Sequence, residues 1–182
     1  MLGGRAWKFG HNVSTDQIAP GRYFHLRSKP LELARYVLED ANPEFARNIQ
    51  PGDFIVAGRN FGLGSSREHA ASIIKLRGIS AVLAQSFARI FFRNAINIGL
   101  PVILCDTDCI NQGDVLEVDL QNGRVQDVTR NIQLDFEPLP AVMLAILQDG
   151  GLINYVQKHG DFSLYSDRGK PSSDQAGPSG SS

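Results

Sequence analysis

The apolar positions of this chain change period part-way along it. Asp53 to Ala57, Ala81 to Gln85 and Pro101 to Cys105 are short runs that are apolar at nearly every position, the pattern of strands buried on both faces. Between them, helical spacing covers His69 to Arg77, closed by Gly78, and Ala88 to Asn97. This alternation predicts parallel strands joined by crossover helices. Beyond Asp108 the period falls to two. Val115 to Leu120 and Arg124 to Val128 flank Gln121-Asn122-Gly123, which predicts a hairpin with an Asn-Gly turn, and Ile132 to Phe136 adds another alternating strand. That second sheet is expected to be antiparallel. Leu139 to Leu147 and Leu152 to Lys158 read as closing helices on either side of Gly150-Gly151.

Ahead of these, Ala6 to Phe9 reads as a short strand that enters a long ordered loop from Asn12 to Tyr23. Leu31 to Leu38 has helical spacing, and Asn42-Pro43 breaks it before a short helix from Glu44 to Asn48. The segment 166–182 holds six serines, three glycines and two prolines with almost nothing apolar. It cannot bury enough surface to offset its ordering entropy, so the expected organisation is one folded domain over 1–165 and a disordered tail.

With 182 residues and 42% apolar content, the chain can bury a full core without disulfides. Its 18 basic and 19 acidic residues leave a net charge of -1, which removes the electrostatic case for a nucleic-acid partner. No apolar window approaches membrane-spanning length and no secretory signal pattern opens the chain, so a membrane partner is not expected. Cys105 and Cys109 cannot build a disulfide framework or a four-ligand metal site, and they read as ordinary packing residues in a reducing, cytoplasmic compartment.

The chemistry gathers at Gly58 to Ala70, where Gly62, Gly64, Ser65, Ser66, Arg67, Glu68 and His69 crowd a strand-to-helix junction. A helix N-terminus presents unpaired N–H groups and the positive end of a dipole, which favour a bound carboxylate or phosphate. Three familiar glycine loops fail on spacing. The dinucleotide fingerprint needs glycine where Arg67 stands, the phosphate-binding Gly-Lys loop needs Gly-Lys at Leu63-Gly64, and the nucleophile elbow needs glycine at Glu68. Ser65-x-x-Glu68 is also the spacing of a capping box, so a purely structural helix start stays open beside the anion site. Lys75 and Arg77 read as surface charges, and Arg89 and Arg93 as a solvated or loop-bracing stripe.

The run Asn60-Phe61-Gly62-x-Gly64-Ser65-Ser66-Arg67-Glu68-His69-Ala70 resembles the signature of the swivel domain of the aconitase family. Asn12-Val13-x-Thr15-Asp16-x-Ile18-x-Pro20 and the blocks Ser86 to Ala95 and Asn97 to Pro101 resemble further family segments, so the likeness spans about residue 6 to residue 160. Ser14 and Leu63 depart from it, standing where many relatives have aspartate and cysteine. In a free-standing chain of this length, the resemblance is to the small subunits of the 3-isopropylmalate dehydratase and homoaconitase group.

That resemblance implies an α/β fold, a three-layer β/β/α swivelling domain with a central parallel sheet and a smaller antiparallel sheet. It implies a hydro-lyase of leucine synthesis that isomerises a hydroxy-dicarboxylate by removing and re-adding water. Homoaconitase or another alkylmalate or citraconate hydro-lyase is the alternative within the class. A non-catalytic anion-binding regulatory domain is the alternative outside it. By motif, Ser65 is the implied base, and Ser66 and Arg67 the implied substrate-binding residues, with Gly62, Gly64, Glu68 and His69 in support. Arg27, and after it Arg22, is the implied basic residue of the early loop that grips a substrate carboxylate. No cofactor or metal is expected in this chain. The [4Fe-4S] cluster is expected in a larger partner subunit, because two cysteines are too few to ligate one.

Overall fold

Runs that are apolar at every position need cover on both faces, and the fold provides it. The computed structural model describes residues 1–65 and 68–160; Ser66, Arg67 and the expected tail lie outside the described residues. Strands β1 (Leu2–Lys8), β2 (Phe54–Ala57), β3 (Ala81–Ala84), β4 (Val102–Leu104), β5 (Val115–Asp119), β6 (Arg124–Asp127) and β7 (Ile132–Asp135) form one sheet in the order β4-β3-β2-β1-β5-β6-β7. The first four pair in parallel and the last three extend the sheet antiparallel. The two sheets expected from the sequence are therefore one continuous mixed sheet. Strand β1 joins them: Ala6 to Lys8 pair with β2, and Leu2 to Arg5 pair with β5. The extra turn-rich half, Leu2-Gly3-Gly4-Arg5, has little strand propensity of its own and is ordered by its partner.

Side-chain alternation sorts the parallel strands into two cores. Trp7, Ile55, Ala57, Val82, Ala84 and Val102 face a core shared with the helices. Ala6, Phe54, Val56, Ala81, Leu83 and Ile103 face a second core completed by Leu116, Val118 and Val125 of β5 and β6. A one-residue slip of any of these strands would exchange the two sets.

The helices are α1 (Thr15–Ile18), α2 (Pro30–Leu33), α3 (Pro43–Asn48), α4 (Glu68–Leu76), α5 (Arg89–Asn97), α6 (Ala141–Gln148) and α7 (Leu152–His159). Helix α1 sits inside the expected loop. The Ser14 hydroxyl accepts from the Gln17 N–H at 3.2 Å and the Gln17 side chain accepts from the Ser14 N–H at 2.9 Å, a complete capping box. The helix expected over Leu31 to Leu38 ends early and passes into a 3-10 turn, Ala34–Tyr36. The Leu38 N–H leaves the helical ladder to donate to the Ile18 carbonyl at 3.0 Å. The hairpin also departs from expectation. Asp119 pairs with Arg124, so the loop has four residues, and the Asp119 carboxylate widens it by accepting from the Gln121 and Asn122 N–H groups. Lys75 and Arg77 are braces, not surface charges. Lys75 donates to the carbonyls of Ile98 and Gly150, with burial lowering its pKa, and Arg77 donates to the Ala46 carbonyl at 3.0 Å.

Beside the hairpin, Asp114 and Asp127 are buried carboxyls, 5% and 1% exposed. Burial, and then the Asp114 carboxyl, pushes Asp127 above the usual aspartate range. A raised folded-state value means that the native protein binds this proton more tightly than the unfolded chain. Stability from it is complete in acid and is lost as pH rises through the raised value. Asp127→Asn is expected to remove that loss. Thermal melts between about pH 4 and pH 8 should then show the variant gaining on the parent as pH rises.

Candidate functional site

The loop from Gly58 to Ser65 leaves the C-terminal end of β2 and is clamped from two sides. On one side the Gly62 N–H donates to the Val13 carbonyl at 2.7 Å, and the Thr15 N–H donates to the Leu63 carbonyl at 2.8 Å. The Asn60 side chain donates to Asn12 at 2.9 Å, and the Arg59 N–H donates to His11 Nδ1 at 2.8 Å. On the other side the Phe61 N–H donates to the Ser86 carbonyl at 3.0 Å, and the Ala88 N–H donates to the Phe61 carbonyl at 2.9 Å. Phe61 is fully buried, with its ring edge-on to Phe91 at 5.2 Å. Three sequence blocks that are far apart in the chain are thus the loop and its two walls.

Two glycines shape the loop. Gly62 has φ +80, and a Cβ there would stand 2.3 Å from Phe91 Cγ. Gly64 has φ +118, and a Cβ there would stand 3.0 Å from the Thr15 hydroxyl oxygen. Both conformations lie in the region that L side chains rarely adopt. The loop thereby delivers Ser65 to solvent, with its hydroxyl 3.5 Å from Thr15 Oγ1.

Helix α4 follows, with exposed Glu68 and half-buried His69 in its first turn. Glu68 and His69 line an open groove of about 700 Å³ together with Arg27, Leu33, Ser72 and Ile73. Arg27 stands at the end of the 3-10 turn Gly21–Leu26, exposed, with its guanidinium 4.5 Å from the centre of the Phe24 ring. The groove thus brings Arg27, Glu68 and His69 together. Arg22 is not among its lining residues. Its guanidinium is held by Asp40 and by Glu39 at 2.7 Å, and Asp40 first, then Tyr23 and Glu39, push its pKa further up. Ser66 and Arg67, the expected carboxylate grip, lie outside the described residues. Arg89 and Arg93 are exposed on α5.

No group of three or more His, Cys, Asp or Glu side chains is placed to hold a metal ion among the described residues. Cys105 and Cys109 are the chain's only thiols, two where a [4Fe-4S] cluster takes four, and burial pushes the Cys105 thiol up to about 12. A [4Fe-4S] cluster does not fit these residues.

Motif reading named Thr15 in the early segment but did not place it beside Ser65. Its signal was present in Ser14-x-x-Gln17, the capping box that turns the early loop into α1 and aims Thr15 beneath the glycine loop.

The Aconitase C-terminal domain model matches residues 12–106 of the chain. A 3-isopropylmalate dehydratase small subunit of Archaeoglobus fulgidus is 61% identical over 161 residues, covering 88% of this chain and 98% of that protein. A methanogen homoaconitase small subunit of Methanothermobacter thermautotrophicus is 49% identical over 169 residues, covering 93% of this chain and 98% of that protein. The crystal structure of a 3-isopropylmalate dehydratase of Methanocaldococcus jannaschii superimposes with a TM-score of 0.83 at 45% identity, covering 87% of this chain and 95% of that one.

Proposed function

The chain belongs to the Aconitase C-terminal domain family, and from that membership we propose that it is the small subunit of a two-chain 3-isopropylmalate dehydratase, a hydro-lyase of leucine synthesis. The observation that carries the reading is its 61% identity with a dehydratase small subunit along 98% of that subunit's length. In this reading 2-isopropylmalate and 3-isopropylmalate interconvert by loss and return of water. The substrate is a small hydroxy-dicarboxylate, and neither nucleic acid nor a membrane takes part. No helix among the described residues is long and apolar enough to cross a membrane. The paucity of cysteine supports a reducing compartment, and the reading places the chain in the cytoplasm.

Ser65 takes the role of base, removing the proton beside a substrate carboxylate. The start of α4 and a neighbouring cation stabilise its alkoxide, and the same features attract the substrate anion. Arg27 holds one carboxylate from across the groove, and His69 orients the loop from the first turn of α4. Ser66 and Arg67 hold the other carboxylate. The cluster belongs to the large subunit, where it would supply the Lewis acid for the leaving hydroxyl. The three-layer β/β/α description is supported by the two cores on opposite faces of β1 to β4, one helical and one built with β5 and β6. The domain is taken to end near residue 165, with 166–182 as tail.

The deciding experiment mixes the chain with its large partner under anaerobic conditions and follows alkene absorbance. Turnover of isopropylmalate is expected. Turnover of homocitrate or homoaconitate alone would move the chain to the homoaconitase reading, which the 49% identical methanogen subunit keeps in view. No turnover of either would leave an anion-binding domain. In the same assay Arg27→Ala should raise KM about 10- to 100-fold, the range set by losing one charge-assisted bond, with a smaller change in kcat. Arg22→Ala should leave KM unchanged, since its guanidinium is already held by Glu39 and Asp40.

A further inference from the structure

We propose that Thr15 is a positioning residue for the reaction, its hydroxyl holding and donating to Ser65 Oγ when that serine carries the negative charge. The inference rests on the dehydratase reading and adds to it a group on a different element. Thr15 is 2% exposed, and a buried hydroxyl without a partner is costly. Among the described residues, the side chain within reach of Thr15 Oγ1 is Ser65, with the oxygens 3.5 Å apart. Separations of this length tighten when substrate closes a site.

Backbone bonds hold Thr15 from both sides. It stands at the first position of α1, behind the Ser14 and Gln17 capping box. Its N–H donates to the Leu63 carbonyl at 2.8 Å, inside the glycine loop, and its carbonyl accepts from the Ala19 N–H at 2.9 Å. The bond to Leu63 ties Thr15 to the loop two residues before Ser65, so the two hydroxyls move together. Gly64 completes the arrangement: any side chain there would press on Thr15 Oγ1 from 3.0 Å.

A hydroxyl that faces an alkoxide can serve it in one way only, as a donor. An O–H to O⁻ bond is among the stronger hydrogen bonds, and it is made more fully in the charged state than in the resting serine. Its loss should therefore act on turnover more than on substrate binding.

The test uses the reconstituted two-chain enzyme and isopropylmalate. Thr15→Val keeps the shape and removes the donor. It should lower kcat about 10- to 100-fold with KM changed less than about 3-fold, and move the rising limb of the kcat pH profile to higher pH. Thr15→Ser should restore both. Thr15→Ala reads out the same loss should the valine fail to pack. An active parent complex whose Thr15→Val and Thr15→Ala variants keep their kcat and pH profile overturns the proposal alone. So does a fall in kcat that follows a lower melting temperature and is not restored by Thr15→Ser. A parent complex inactive on isopropylmalate overturns the dehydratase reading, and this proposal with it.

Discussion

Ser65→Ala lowers kcat of the reconstituted enzyme by roughly 1000-fold while the chain stays folded, the range that removal of a positioned general base commands. Ser65 is exposed at the end of its loop, and its side-chain contact among the described residues is the long one to Thr15, so little of the fold depends on it. A surface substitution of this kind changes stability by no more than about 0.5 kcal/mol. The melting temperature therefore stays near that of the parent, and the loss falls on kcat rather than KM because the carboxylate grip remains. A variant retaining full turnover in the anaerobic assay would remove Ser65 from the role of base.

Gly62→Ala carries the second large effect and acts through geometry. Alanine at φ +80 costs about 1–2 kcal/mol, because its Cβ crowds the following carbonyl. The same Cβ would lie 2.3 Å from Phe91 Cγ, in a cluster where Phe61 and Phe91 already pack edge to face. Overpacking of a tight site adds about 1–3 kcal/mol. Together these lower the melting temperature by roughly 5–15 °C for a domain of this size. Turnover falls as well, since relief of the clash shifts the loop that holds Ser65. Calorimetry and the absorbance assay read the two losses separately. A variant that melts with the parent would show that Phe91 does not hold the loop.

Much of the fold was legible because burial leaves a period in the sequence. Phe54–Ala57 and Ala81–Ala84 are buried at every position and read as parallel strands within a residue of their ends. Val115–Asp119 alternates between exposed and buried and read as antiparallel. The misses have tertiary causes. Leu2 to Arg5 became strand because β5 offers an edge, and the helix after Leu31 stopped because the Leu38 N–H found the Ile18 carbonyl. Lys75 looked like a surface charge until its ammonium met the carbonyls of Ile98 and Gly150. The Asn-Gly turn was widened by Asp119, whose carboxylate caps the loop from within.

At the site the division is sharper. The sequence by itself determined which residue types stand at the strand-to-helix junction, that either an anion site or a helix cap can be built there, that the thiols are too few for a cluster, and that the signature resembles the aconitase family. The first three need only spacing, composition and local backbone preference, and the last is a likeness of motifs. Only the tertiary structure decided which distant residues line one groove: Arg27 lines it with His69, while Arg22 is held by Glu39 and Asp40. It alone brought Thr15 under Ser65 across fifty positions of sequence. The reason is that such contacts depend on how β1, β2 and α1 pack, and packing between distant segments leaves no period in the chain.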